Sequence, residues 1–331
     1  MDTSTHIAMG FGLAGLASLD PAVSGNPALA QAIMAGTVLG SNAPDFDYAI
    51  KLAKGEGTYL RHHRNLSHSV PFWFIWAVLL TAGIYPFFQG ISAAHLFGWT
   101  LAAVLIHVFT DLFNSYGTKA GRPFTGKWIT LDAIYIFDPF IMLLHAAGFI
   151  LWASGLPSGI IFAAVYSVML LYMAARAAAS ARVRAKAASS ISPGYRKVKA
   201  IPTIRWGIWN VCAESDQYFI TGEYRHGRIE WVHSFSKQAM DDPAITASRF
   251  DENVQHFLVN AEMAYACSFR RQNKYEVRWF DVRYRTKNHY PFMAVVQLDE
   301  KMKISSSETG WIHRVNTFDQ PPQMNESAAS Q

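Results

Sequence analysis

The chain has 331 residues, 51% of them hydrophobic and 16% charged, a balance that excludes an ordinary soluble domain as the whole molecule. The net charge of +5 comes from one segment: residues 176–205 hold eight Lys/Arg and no acid, residues 1–157 hold seven basic and eight acidic residues, and residues 206–331 hold fourteen and sixteen. Charge confined in this way flanks membrane helices more economically than it binds nucleic acid, and two distant cysteines, Cys212 and Cys267, exclude a disulfide framework or a thiolate metal site.

The opening residues lack the basic n-region of a secretory signal, so the N-terminus with His6 is expected to be retained. Residues 3–19 and Ala28–Leu39 are apolar and Gly/Ala-rich, with Thr3, Ser4 or Thr5 as N-cap of the first stretch. Each is shorter than the roughly 20 residues a crossing needs, which predicts a short helical hairpin at the membrane surface. Such a hairpin brings its outer ends together, and with them His6 and the pair Asp45/Asp47 in Gly40-Ser-Asn-Ala-Pro-Asp-Phe-Asp47.

Four spans follow: Val70–Phe88, Ala93–Phe113, Ile134–Trp152 and Ser158–Ala175. The breaks at 89–92 and 153–159 carry no charge, while 51–64, 119–127 and 176–199 carry all the flanking Lys/Arg. Basic residues collect on the cytoplasmic side, so both termini are expected inside. That topology gathers His62, His63 and His68, which precede the first span, at the same face as His107 and Asp111, which end the second, and Asp138, which begins the third. From residue 200 the pattern turns to period-two alternation, as in Ile204–Val211, Gln217–Tyr224, Glu276–Tyr284 and Phe292–Leu298, with a helix expected over about Ser248–Tyr265. The expected architecture is an all-α membrane domain (1–175), a basic linker (176–200), a small α+β cytoplasmic domain (201–318) and a disordered tail (319–331).

A lone His-x-x-x-Asp on a helix is more often a buried polar pair than a ligand set, and Asp45 and Asp47 after Pro44 are also good turn caps. Their convergence on one membrane face favours a metal, because ionisable groups at that depth are costly without a function. His and Asp suit zinc, with manganese as the alternative, and several of each would serve a two-metal hydrolytic site acting on a phosphoryl group.

At these residues the chain resembles the YdjM-type family of bacterial inner-membrane proteins, described as metal-dependent hydrolases. The resemblance rests on Thr5-His6, Ala43-Pro-Asp-Phe-Asp47, His63-Arg-Asn-Leu-Ser-His-Ser69, His107-x-x-x-Asp111 with Asn114-Ser-Tyr-Gly-Thr118, and Phe137-Asp-Pro139, and covers about residues 1–175. The ligand order is also similar to that of zinc-dependent phospholipase C and P1-type nucleases, although the later His-x-x-x-Glu of those enzymes is missing. Together these features give metal ligands at His6, Asp45, Asp47, His63, His68, His107 and Asp111. Asp138 is then a ligand or general base and Arg64 a substrate or supporting group. The expected partners are membrane lipid, anionic headgroups at 176–199 and a protein for the C-terminal domain, with nucleic acid not expected. The rival reading is a membrane scaffold or regulator without catalysis.

Overall fold

The computed structural model describes residues 1–287 and 289–318, so the tail expected over 319–331 lies outside the described residues, as do the side chains of Ile50, Lys54, Leu60, Arg61 and His62. The chain divides into two compact units: Met1–Asp47 with His63–Ala179, and Tyr48–His62 with the chain from Ser180 onward.

The first unit is helical. Helix α1 (Thr3–Leu16) is capped by Asp2, whose carboxylate accepts from the Ser4 and Thr5 amides, one residue earlier than the hydroxyls expected to do so. A short α2 (Pro21–Ser24) leads to α3 (Pro27–Gly40), capped by Asn26, and α1 and α3 form the expected hairpin. Helix α5 (Val70–Ile84) starts with Pro71 in its first turn and, with the turn after it, gives an apolar run over Val70–Phe87. Helix α6 is Ala93–Asp111 and α8 is Ser158–Ser189.

Among the described residues, these three segments are long and apolar enough to cross a membrane. The remaining expected span is shorter: α7 (Pro139–Ala153) starts where Asp138 caps it, because the residues before it run as loop. The outward side chains Phe74, Val78, Leu79, Leu143, Ile150, Ile160 and Leu171 are exposed and apolar, as a lipid-facing surface requires. Inside, Met9, Leu13, Ile141, Phe162, Tyr166 and Met169 form a continuous core.

Residues 176–189, expected as linker, continue α8 as helix. The run from Arg176 to Ser189 is rich in alanine, the best helix former, and Gly194 lies beyond the helix end. Strand β1 (Lys197–Pro202) then begins the second unit's first sheet with β2 (Ile208–Glu214), β3 (Tyr218–Arg225) and β4 (Arg228–Ser236), an antiparallel meander. A second meander follows, built from β5 (Ala264–Arg271), β6 (Lys274–Asp281), β7 (Phe292–Asp299) and β8 (Ile304–Trp311). The helix expected over about Ser248–Tyr265 is the shorter α10 (Glu252–Asn260), and a further helix, α9 (Pro243–Ser248), precedes it, each with its own aspartate cap, Asp251 and Asp242. Helix α4 (Tyr48–His62), broken at Gly55 with φ 84°, packs on α10 and β8. Alternation along β7 sorts its side chains by face. Met293 and Val295 meet Cys212, Phe219 and Phe235 of the first sheet, while Phe292, Ala294 and Val296 meet α9 and α10 through Ile245, Val254 and Phe257.

One buried histidine ties the first sheet to the loop before β7: His233 Nδ1 lies 2.9 Å from the Tyr290 hydroxyl. Burial, then the Arg285 charge, pushes this imidazole from 6.5 down to about 4. The folded state therefore holds the neutral ring where the unfolded chain is protonated. Its stabilising share is complete above about pH 6.5 and is lost as pH falls toward 4. Hydrogen exchange of the β3 and β4 amides should show that loss, and His233→Gln should flatten it; an unchanged profile in the variant would remove His233 from the account.

Candidate metal centre

Four acceptor atoms converge at one end of the first unit. Helix α6 supplies His107 and Asp111 one turn apart, the turn after α3 supplies Asp45, and the loop before α5 supplies His68; their ligand atoms lie within 4.8 Å of one another. The loop is held from the start of α5, where the Trp73 indole donates to the His68 carbonyl (2.7 Å) and the Trp76 indole to that of Ser67 (3.1 Å). Tryptophan at the first turns of a span is the residue of the membrane–water boundary.

Hydrogen bonds fix the protons. His107 Nδ1 sits 2.7 Å from the Ser41 carbonyl, which can only accept, so Nδ1 carries a hydrogen and it is Nε2 that can present a lone pair. Ser67 gives its hydroxyl hydrogen to Asp47 (2.8 Å), so it accepts from His68 Nδ1 (3.0 Å), and the His68 lone pair is also on Nε2. The two Nε2 atoms face each other at 3.3 Å with no hydrogen between them. Asp111 Oδ2 lies 3.3 Å from one and 3.6 Å from the other, and Asp45 Oδ1 lies 3.6 and 3.7 Å from them. Asp45 Oδ1 receives no hydrogen bond, and Asp111 Oδ2 receives none of good geometry but pairs by charge with Arg64 Nη2 at 3.3 Å. Four such groups turned on one another, offset at the edge by the Arg64 guanidinium, are the arrangement that a cation among them would stabilise.

The outer oxygen of Asp111 is, by contrast, well supplied. Oδ1 accepts from Asn114 Nδ2 (3.2 Å), Arg64 Nη2 (3.4 Å) and the Met1 amino group. Burial pushes His68 well below the usual imidazole range and keeps it neutral at pH 7. Three of the four side chains are sealed, and Asp45, 22% exposed, is the open side.

The other expected residues take different places. His6 is fully buried and stacks on His107 (centroids 3.8 Å apart), with its Nε2 3.4 Å from Asp111 Oδ1, the supplied oxygen. Asp47 and His63 form a second acidic–imidazole group around Asp45, bonded to each other at 2.9 Å. Arg64 is buried in the left-handed region (φ 58°), costly for a residue with a Cβ, and donates to Asn114 Oδ1 (2.9 Å), His63 Nε2 (3.2 Å) and Asp111. Asp138 is not brought to the cluster. Its Oδ1 caps α7 through the Phe140 and Ile141 amides, and its Oδ2 accepts from the Tyr172 hydroxyl (2.7 Å). Asp132 accepts from Thr130 (3.0 Å) and is likewise outside both groups. Sequence reasoning passed over Ser41, Ser67 and the supporting role of Asn114. Only Asn114, three residues after Asp111 and therefore near its face, carried a positional signal.

Comparison with known proteins gives a consistent picture. The profile of the YdjM inner membrane protein family matches residues 1–183, and that of the YfhP C-terminal alpha/beta plait domain matches residues 243–320. The chain is 37% identical over 313 residues to the uncharacterized protein YfhP of Bacillus subtilis (strain 168), covering 94% of this chain and 95% of that protein. No solved structure matches it.

Proposed function

The chain belongs to the YdjM inner membrane protein family, and from that premise we propose that it is a membrane-bound metal-dependent hydrolase whose centre lies at the cytoplasmic membrane face. The observation that carries this reading is the convergence of Asp45 Oδ1, His68 Nε2, His107 Nε2 and Asp111 Oδ2 within 4.8 Å of one another, with the two carboxylate oxygens lacking a hydrogen bond of good geometry. Two imidazoles and two carboxylates fit zinc, and manganese next. A divalent cation held there would supply Lewis-acid activation of water and charge compensation at a phosphoryl group.

The chain's own residues supply the surroundings. Asp45 faces the opening and is the carboxylate a substrate would meet first. Arg64 holds Asp111 and Asn114 in place, and its charge lies beside the centre where an anionic group would bind. Trp73 and Trp76 support a site at headgroup depth, and exposed Phe46 and Leu66, next in sequence to Asp45 and Ser67, offer apolar contact. An amphiphilic phosphoester such as a phospholipid meets all three conditions.

In this reading α7 is the fourth crossing, both termini are cytoplasmic, and α8, about 48 Å long at 1.5 Å per residue, extends past a hydrocarbon core of about 30 Å. Its last turns, with Arg182, Arg184 and Lys186, then meet anionic headgroups.

The test is hydrolysis of phosphatidyl vesicles and of a soluble aryl phosphodiester by the purified full chain. Turnover should vanish on chelation, return with zinc or manganese, and fall at least about a hundredfold in Asp45→Ala, the scale of losing a metal-ordering group. A chain that binds metal yet cleaves neither substrate would sink the hydrolase and favour the scaffold, with the second unit recruiting a protein.

A further inference from the structure

The second cluster, Asp45, Asp47 and His63, has the composition of another metal site, and its ligand atoms also lie within 4.8 Å of one another. Its hydrogen bonds give it a different role. His63 Nδ1 must donate to Asp47 Oδ1 (2.9 Å), since a carboxylate only accepts, and His63 Nε2 accepts from Arg64 Nε (3.2 Å). His63 therefore has no lone pair left for an ion. Asp47 Oδ2 accepts from the Ser67 hydroxyl (2.8 Å) and the Arg64 amide (3.3 Å), so both of its oxygens are engaged. That differs from the first cluster, where the inward oxygens of Asp45 and Asp111 accept no hydrogen bond of good geometry, and Arg64 pairs with Asp111 Oδ2 by charge at 3.3 Å.

We infer that Asp47 and Ser67 are positioning residues that fix His68 for a single divalent cation, and that Asp47 and His63 do not hold a second one. The relay runs from His68 Nδ1–H to Ser67 Oγ, and from the Ser67 hydroxyl hydrogen to Asp47 Oδ2. Each link leaves the next only one way to point, and the end of the chain is a lone pair on His68 Nε2 aimed at His107 and Asp111. Outer hydrogen bonds of this kind orient a ligating imidazole and typically govern affinity by 10–100-fold. Arg64 completes the arrangement: its Nε donates to His63 Nε2 and its Nη2 pairs with both oxygens of Asp111.

The inference rests on the metal-centre reading, and zinc titration of the full chain in detergent separates the two. Wild type should saturate at one equivalent. Threonine and valine have the same shape but differ in the hydroxyl, so Ser67→Thr should bind within about threefold of wild type and Ser67→Val at least about tenfold more weakly. Nitrogen NMR of the His68 ring should report hydrogen on Nδ1 in wild type and Ser67→Thr, and a mixture of tautomers in Ser67→Val. Should both substitutions disturb folding, Asp47→Asn carries the test. It should still take one equivalent at saturation, more weakly, whereas His107→Ala takes none. Two equivalents in wild type, no binding by Asp47→Asn, or equal affinity in Ser67→Thr and Ser67→Val would overturn the inference. A wild-type chain that binds no zinc removes the metal centre itself, and the relay with it.

Discussion

Purified full-length chain is expected to carry bound zinc or manganese at near-stoichiometric level, and His68→Ala and Asp111→Ala to carry none. The expectation follows from the positions of four lone pairs. His68 and His107 are locked with Nε2 inward, at 3.3 Å from each other, and each variant removes one of four ligands while leaving the others pointing into a partly emptied space. Neither replacement can be compensated from nearby: His6 Nε2 approaches the already supplied Oδ1 of Asp111, and His63 has both ring nitrogens bonded. Elemental mass spectrometry of wild type and both variants measures this directly. The effect should extend to stability, since a ligand present at a thousand times its dissociation constant stabilises by about 4 kcal/mol. Chelation should therefore lower the melting temperature of wild type and leave the two variants unmoved. Metal retained by both variants would refute the assignment of this cluster.

How far the sequence revealed this depends on the kind of signal each element carries. Spans α5, α6 and α8 were legible because twenty-residue apolar runs have few competing explanations, and the α1/α3 hairpin because Pro and Asn punctuate it. The start of α7 was displaced because hydropathy does not register a cap: Ile134–Phe137 is as apolar as the helix, and only the Asp138 hydrogen bonds set the boundary. The same capping role took Asp138 away from the metal cluster, an outcome that counting acidic residues at one face could not foresee. Residues 176–189 read as linker by charge, although their alanines favour helix over any linker conformation. In the second unit the stretches with the clearest alternation are the inner strands β2, β3, β6 and β7, while β1, β4, β5 and β8 are sheet edges. Within the cluster, helical spacing alone placed His107 and Asp111 on one face, while their meeting with Asp45 and His68 depended on the loops. The difference between His68 and His63 was not legible, because it depends on which nitrogen each ring has already committed.

Gly10→Ala is expected to cost about 1–3 kcal/mol of stability and to weaken zinc binding about tenfold, although residue 10 touches no ligand. A Cβ at Gly10 would lie 2.5 Å from Ser41 Oγ, 2.8 Å from Val38 Cα and 2.9 Å from the Thr37 carbonyl. Two of these are backbone atoms of α3, which cannot rotate away as a side chain can, so the helix must move. Ser41 follows α3 directly, and its carbonyl receives the His107 Nδ1 hydrogen at 2.7 Å. Moving it by a few tenths of an ångström loosens the bond that directs His107 Nε2 inward, and Asp45 lies four residues further along the same turn. The hairpin glycine thus acts on the centre through the supporting carbonyl. Gly83→Ala in α5 is the control: nothing lies within 4 Å of a Cβ there, and the change should be neutral or slightly stabilising for the helix. Thermal unfolding and zinc titration of the two variants should separate them in both readouts. Equal behaviour would mean that the α1–α3 contact yields without disturbing Ser41, and that the precision of the centre is set by α6 and the His68 loop alone.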